Sequence, residues 1–455
     1  MHLSAAFLLS QILSYLGAGA ISYGVAVVAG ALYVYRRPGE AIWVTFSLLA
    51  VTALIYPVPL DETGVPDIGA FRPYNFVFAS MAAALLLGMR MRKRQAQAVP
   101  LAAKPGPIKW IVALAAVFCI TTVYGDVSPL NAGALYVLQQ SSGWASFLLF
   151  LWLGYRLPVS PADVRHSFDK LHLSALVYST LFLARFAYTV QNTGLTAAVD
   201  FAYAQRVVLF FVGIVLVLLV AKKLAPEAGP AATISWSSVA VLLPAIVLSG
   251  SRGVTGAVVL TILVLLVSWR VRSLVRLSPL LLAVLLIFGV ILRTRSQVVE
   301  EYIVAKFLVA PEQDSSFVGR VSEMEAAVGA IQRNPLLGNG MLASYMFFDP
   351  LFGWRETAFV DNGLGYLLIK TGLLGTGIFT LLALACFKMV RHLRRLIPEG
   401  ALIPLVVFVF YLGCLPFGAP FFDLRFSWLI GLTLGYSLYL AGVSGQTTWA
   451  TQMGK

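Results

Sequence analysis

Three short stretches of this 455-residue chain bring arginine together with glycine, carboxylate or carboxamide, groups able to hold an anion and to move a proton. The first is Ser249-Gly-Ser-Arg252-Gly253. Arginine keeps its charge, and its planar fork offers a phosphate two parallel hydrogen bonds; at a membrane interface it can equally do no more than snorkel toward water. The second is Gly319-Arg320 with Glu323 and Glu325, then Arg333 and Asn334-Pro-Leu-Leu-Gly-Asn-Gly340. Arg320 and Glu323 lie three apart, so a helix sets them on one face. They make either a surface ion pair of small consequence or an anion-binding arginine beside an acid that serves as base or orienter. The glycine turn after them is expected to present backbone amides, which favour anions. The third is Asp361-Asn362-Gly363, where both polar residues suit a helix cap and Asp361 also suits a general base.

The elements that must position these residues follow from composition. The chain is 59% hydrophobic and 12% charged, against roughly half and a quarter in soluble domains. Apolar runs of about 17–25 residues, each long enough to span a bilayer, recur throughout. The expected fold is all-α: one membrane domain, residues 1–455, a bundle of about 12–14 transmembrane helices. Spans are predicted at 10–35, 41–58, 74–89, 108–123, 143–157, 171–189, 206–220, 235–248, 254–269, 277–292, 362–387, 401–414 and 428–441. The first apolar stretch begins at Leu3 with no basic residue between the initiator and it except His2, so a retained span is expected rather than a cleaved leader.

Basic clusters fall after odd-numbered spans only: Arg36 and Arg37; Arg90, Arg92, Lys93 and Arg94; Arg156, Arg165 and Lys170; Lys222 and Lys223; Arg270, Arg272 and Arg276; Lys388, Arg391, Arg394 and Arg395. Such clusters mark cytoplasmic loops, which sets the N-terminus outside and the C-terminus inside. Reading the first stretch as interfacial instead leaves 12 spans with the N-terminus inside. All three chemical motifs then fall on the outer side, two of them in or beside a long loop at 293–360. Within that loop Val321, Met324, Val328 and Ile331 recur at helical spacing. Asp314, Ser315 or Ser316 can cap the helix, and Pro335 and Gly338 end it. An amphipathic helix is expected there, on the membrane surface or across the mouth of a cavity. About a dozen basic residues map to this outer side, among them Arg185, Arg206, Arg295, Lys370 and Arg425. That face is normally poor in them, so an anionic ligand is expected.

Several functions are disfavoured. The +13 net charge sits in loop clusters, which gives no reason to expect nucleic acid. Cys119, Cys386 and Cys414 lie in apolar runs and form no disulfide framework. No histidine lies near the three motifs, no metal-ligand spacing occurs, and there is no phosphate loop of the nucleotide-hydrolase kind. No metal and no cofactor are expected. A transporter of lipid-linked glycans should carry charges and broken helices near the midplane, whereas these charges gather at one face.

The order of the motifs resembles the O-antigen ligase and Wzy-type polymerase superfamily over about Leu242 to Phe387: Ser-Arg-Gly at a span end, two spans, a long loop with an arginine-led helix ending in Asn334-Pro-Leu-Leu-Gly-Asn-Gly340, then Asp361-Asn362-Gly-Leu-Gly-Tyr-Leu and Lys370-Thr-Gly-Leu-Leu-Gly375. The resemblance implies a glycosyltransferase of the bacterial inner membrane, its site facing the periplasm. The implied substrate is an oligosaccharide on undecaprenyl diphosphate; a chain-length regulator is a candidate partner that the sequence leaves open. By the same resemblance Arg252 and Arg320 hold the diphosphate, with Arg295 and Arg333 as further phosphate candidates. Ligases carry a histidine followed by asparagine where this chain has Asp361-Asn362, which favours the polymerase branch. Asp361 is the first candidate for the base and Glu323 the second, with Asn362 on the glycan.

Overall fold

The computed structural model describes residues 19–55, 73–92, 107–124, 134–157, 161–194, 197–198, 201–202, 205–224, 236–249, 251–269, 315–349, 353–357, 362–396, 398–416, 418 and 420–453. The apolar runs are helices: α1 Gly19–Arg36, α2 Ala41–Ile55, α3 Pro73–Arg92, α4 Pro107–Tyr124, α5 Ala134–Arg156, α6 Pro161–Thr193, α7 Arg206–Leu224, α8 Trp236–Leu248 and α9 Arg252–Trp269. After the long loop come α11 Gly363–Leu396, α12 Pro398–Cys414 and α13 Leu424–Met453. The expected span at 277–292 lies outside the described residues. Within the loop, α10 runs Ser315–Arg333, as the spacing predicts. A departure from all-helical structure follows it, an antiparallel hairpin of β1 Tyr345–Asp349 and β2 Gly353–Thr357.

The helices turn apolar side chains outward as well as inward. Val25, Val28 and Leu32 on α1, and Leu173, Val177 and Leu181 on α6, form exposed stripes at helical spacing. A helix apolar all round is at home in lipid, and α6 and α11 are each long and apolar enough to cross a bilayer. This is a polytopic helical membrane protein.

Lipid gives helices no hydrophobic reason to pair, so close packing must hold them. Glycines do this between α5 and α13. A Cβ on Gly431 would lie 2.5 Å from the Phe147 carbonyl oxygen, and one on Gly154 would lie 2.5 Å from that of Leu432. At one end, the Phe421-Phe422 turn plugs the bundle. Phe422 stacks on Tyr366 at 5.3 Å, and Phe421 meets Phe379 and Tyr411 edge-on at 5.1 and 5.5 Å. Aromatic pairs of this kind contribute about 0.5–1.5 kcal/mol beyond burial, and they fix α11, α12 and the start of α13 together.

A charged node ties α1 and α2 to α6. Glu40, in the short turn between the first two helices, accepts from Lys170 Nζ at 2.6 Å, Tyr33 OH at 2.7 Å and Trp43 Nε1 at 2.8 Å. Burial alone would raise the Glu40 pKa. The three hydrogen bonds and the Lys170 charge outweigh burial and hold it below the usual value. A lowered carboxyl pKa stabilises the fold above the unfolded-state value near about 4.3 and is lost as pH falls through the folded value. Glu40→Gln is therefore expected to lower the thermal unfolding midpoint in detergent at pH 7, with the deficit closing below about pH 4.

Candidate functional site

The first motif folds into the junction of α8 and α9. Ser249 Oγ donates to the Ile246 carbonyl at 2.6 Å and accepts from the Ser251 amide at 3.2 Å. Ser251 then caps α9, its Oγ 3.4 Å from the Val254 amide. Arg252 is thus the first residue of a helix, where unpaired amides and the helix dipole make a positive end. Gly250 lies outside the described residues.

The third motif opens α11 at the same end of the bundle. Asn362 Oδ1 accepts from the Leu364 and Gly365 amides at 2.9 and 3.1 Å, so its side chain is spent as a cap. The Gly363 amide donates to the Leu415 carbonyl at 2.8 Å, just past the end of α12. Two residues back, a Cβ on Gly413 of α12 would lie 3.2 Å from Thr261 Oγ1 and 3.6 Å from the Ala257 carbonyl, in the second and third turns of α9. The end of α12 therefore meets the first residue of α11 and the body of α9. Asp361 precedes the cap, and it and Arg295 lie outside the described residues. Asn362→Ala is expected to cost about 1 kcal/mol of stability, read as a lower unfolding temperature that Asn362→Asp restores.

The second motif lies over this end on α10. Glu323 is half-buried and accepts a hydrogen bond from Tyr345 OH of β1 at 3.0 Å, which pins helix to hairpin. Position 320 falls one turn before it. The packed face overlaps the expected one in part. Met324 and Ile331 pack against the core beside buried Ala327 and Ala330, whereas Val321 and Val328 are 41% and 46% exposed. Small alanines let α10 approach its neighbours closely, and the bulkier valines are left outside. Arg333 is exposed in the last turn, where a cation also complements the helix dipole.

The turn after α10 corrects a further expectation. Two of its amides, and that of Met341 just beyond it, are already bonded within the protein. Gly338 N donates to the Asn334 carbonyl at 2.8 Å, Asn339 N to Ile369 at 2.7 Å, and Met341 N to Thr121 at 2.9 Å. The turn is a latch into a break in α11. At Gly372 the backbone leaves helical angles, with φ 62° and ψ −163°. Across the break, the Leu373 and Leu374 amides donate to the Pro335 and Leu336 carbonyls at 2.9 and 3.0 Å. Asn339 Nδ2 adds a bond to the Ala330 carbonyl at 2.7 Å.

Lys370, at the same break, was expected only as one more charge on the outer face. It is 0% exposed, and its Nζ donates to the Met341 and Ala343 carbonyls at 2.9 and 2.5 Å. The sign in the sequence was a lone lysine inside an apolar run, which is costly unless it does something. Arg425 is likewise committed, paired two-pronged with Asp423 at 2.6–3.0 Å, and the Arg185 guanidinium lies 5.1 Å from the Phe201 ring centroid. Part of the basic excess is therefore structural.

Geometry and chain order agree with the comparison to known families. Residues 237–380, from α8 to the middle of α11, match the family model described as Wzy_C, O-antigen ligase. This segment, which holds all three motifs, is similar to the O-antigen ligase family, and the similarity supports a membrane glycosyltransferase of the ligase or polymerase type. No curated protein matches the chain.

Proposed function

We propose that the protein is a polysaccharide polymerase that transfers a growing glycan from undecaprenyl diphosphate to the next lipid-linked repeat unit, at the periplasmic face of the bacterial inner membrane. The supporting observation is that the end of α12 bonds the start of α11 and packs against the second and third turns of α9. The reading assigns Arg252, at the α9 terminus, and Asp361, next to the Asn362 cap, to one site.

In this reading the donor's diphosphate lies at the α9 terminus, held by Arg252 and Arg320, with Arg295 and Arg333 as outer contacts. The acceptor hydroxyl attacks the donor's anomeric carbon. The bond from that carbon to the phosphate oxygen breaks, and undecaprenyl diphosphate leaves with the bonding pair. Fixed positive groups stabilise the charge as it grows on the leaving oxygen. The Asp361 carboxylate takes the hydroxyl proton. Glu323, held by Tyr345, orients rather than abstracts, and Asn362 serves through the helix start it caps. A chain-length regulator is the expected protein partner.

A transporter also uses broken helices and buried charges, and α11 has both. Here the break is closed by the Pro335–Asn339 backbone, and the lysine is spent on carbonyls. That arrangement binds the break to the chain's own latch, which favours a structural role for it.

The test is the purified protein in nanodiscs with its host's undecaprenyl-diphosphate-linked repeat unit, the products resolved on a gel. A ladder of lengths, lost with Asp361→Asn while the donor still binds, is expected. Transfer only to added lipid A core would make the protein a ligase. Flux of intact donor with no new glycosidic bond would make it a transporter.

A further inference from the structure

The latch and hairpin leave an apolar surface with no described partner. Leu336 is 68% exposed and Trp354 70%, and Leu337, Met346 and Phe348 are also open. The strand register pairs Phe348 with Trp354 and Met346 with Glu356, so these side chains share one hairpin face. The two rings meet edge-on at 5.8 Å. Tyr345, next in the alternation, is buried on the other face.

The depth of this surface can be read along α11. Its exposed apolar stripe runs from Leu373 and Leu374 through Leu381 and Leu384 to Phe387, and ends at exposed Lys388 and Arg391. Fourteen residues separate Leu374 from Lys388, about 21 Å of helix. A hydrocarbon core is about 30 Å thick. If it begins at Lys388, Leu374 lies about 9 Å below the opposite boundary; if it begins at Arg391, about 4 Å below. Leu336 is bonded through its carbonyl to the Leu374 amide, so it sits at that depth.

Irregular backbone is tolerated there only if its polar groups are satisfied by protein. The latch meets this condition. The Pro335 and Leu336 carbonyls accept from α11, the Gly338 amide bonds to Asn334, and the Asn339 amide bonds to Ile369. Side chains can then face lipid with these backbone groups satisfied behind them.

We infer that residues 334–349 and 353–357 form a membrane-seated module: Leu336 and Leu337 enter the acyl chains of the leaflet at the Gly363 end of α11, and Phe348 and Trp354 rest at its headgroup boundary. The occupant of the apolar surface is lipid. Continuity with the Leu373–Leu374 stripe carries this choice over a sugar on the aromatic pair. Tryptophan is a preferred residue at this boundary. The seat also fixes the height of Arg333, three residues before Leu336.

Two measurements on the full-length protein test the module without reference to activity. The emission of Trp354 is isolated as the difference between wild type and Trp354→Phe, in vesicles of ordinary phosphatidylcholine and of phosphatidylcholine brominated near the headgroup end of its acyl chains. Quenching by the brominated lipid of about two-fold or more, with little effect of aqueous iodide, is expected for a ring at the boundary. Separately, a nitroxide is placed on Leu336→Cys in a Cys119→Ser background, since Cys119 is the exposed cysteine and Cys386 and Cys414 are buried. Its relaxation should respond to oxygen and not to a water-soluble nickel chelate. Both substituted positions are exposed, so neither change threatens the fold. Iodide quenching without bromolipid quenching, or a nitroxide relaxed by nickel, would overturn the inference. Protection of Trp354 from iodide by a soluble host oligosaccharide would assign the aromatic face to sugar instead.

Discussion

Arg252→Ala should lower the rate of polymer formation by about 10²–10³-fold, the usual cost of removing one fixed donor from a developing anion. Arg252 is the first residue of α9, and an unchanged expression level and unfolding temperature of the variant are the control that separates lost chemistry from lost folding. If the arginine acts on the charge of the leaving diphosphate, the loss should fall on kcat and resist added donor. Arg252→Lys should recover part of the rate, because it restores the charge but not the two-pronged fork. Arg320→Ala is expected to act in the same direction. Wild-type-length polymer at a normal rate from Arg252→Ala would remove the diphosphate from the start of α9, and with it the main support for the proposed site.

The second large effect is structural. Gly372 holds φ 62° and ψ −163°, a region open to glycine alone. A Cβ there would also overlap the Leu336 carbonyl oxygen. The backbone strain is about 1–3 kcal/mol and the overpacking about 1–3 kcal/mol more. Together they rival a good part of a typical stability of about 5–15 kcal/mol. Gly372→Ala should therefore give poor yield, early unfolding and no polymer. Gly338→Ala should behave alike, because φ is 71° there and its Cβ would lie 2.6–2.7 Å from the backbone at Gly372, Ile369 and Thr371. Gly377→Ala is the control: it sits in the same helix with nothing within 4 Å of a new Cβ. Equal unfolding temperatures for Gly372→Ala and Gly377→Ala would mean that the latch does not hold the helix.

Most of the helices were legible because membrane spans are written in runs of apolar residues, a signal that needs no tertiary knowledge. Even α10 could be read, from Val321, Met324, Val328 and Ile331. Its packed face could be read only in part: Met324 and Ile331 do pack inward, but the most buried positions are Ala327 and Ala330, residues that carry almost no periodic signal. The hairpin was missed for a related reason. Tyr345-Met-Phe-Phe348 is continuously apolar, and its alternation shows only when one face meets protein and the other does not. The glycine turn after α10 was recognised as a special backbone, but its partners lie some thirty residues onward in α11. Local sequence cannot distinguish amides offered to an anion from amides already bonded to a broken helix. Lys370 could have been weighed more heavily, because a lysine within an apolar run is conspicuous on its own. Arg320, Glu323 and Asp361-Asn362 were legible as candidates, and the structure separated their structural duties only where Asn362 caps α11 and Tyr345 holds Glu323.

The glycine crossing of α5 and α13 joins residues near Phe147 and Leu151 to Gly431 and Gly435, almost three hundred positions later. During synthesis, α5 enters the membrane long before its partner exists. Its small-residue face must wait among lipids while seven intervening described helices and the long loop are made. The bundle can be completed only when α13 slides into the vacant groove, so assembly waits on a helix made long after its partner. A bulky residue at Gly435 would then do its damage before any catalysis is possible, as a chain that inserts fully and never closes, exposed to the proteases that clear unfinished membrane proteins.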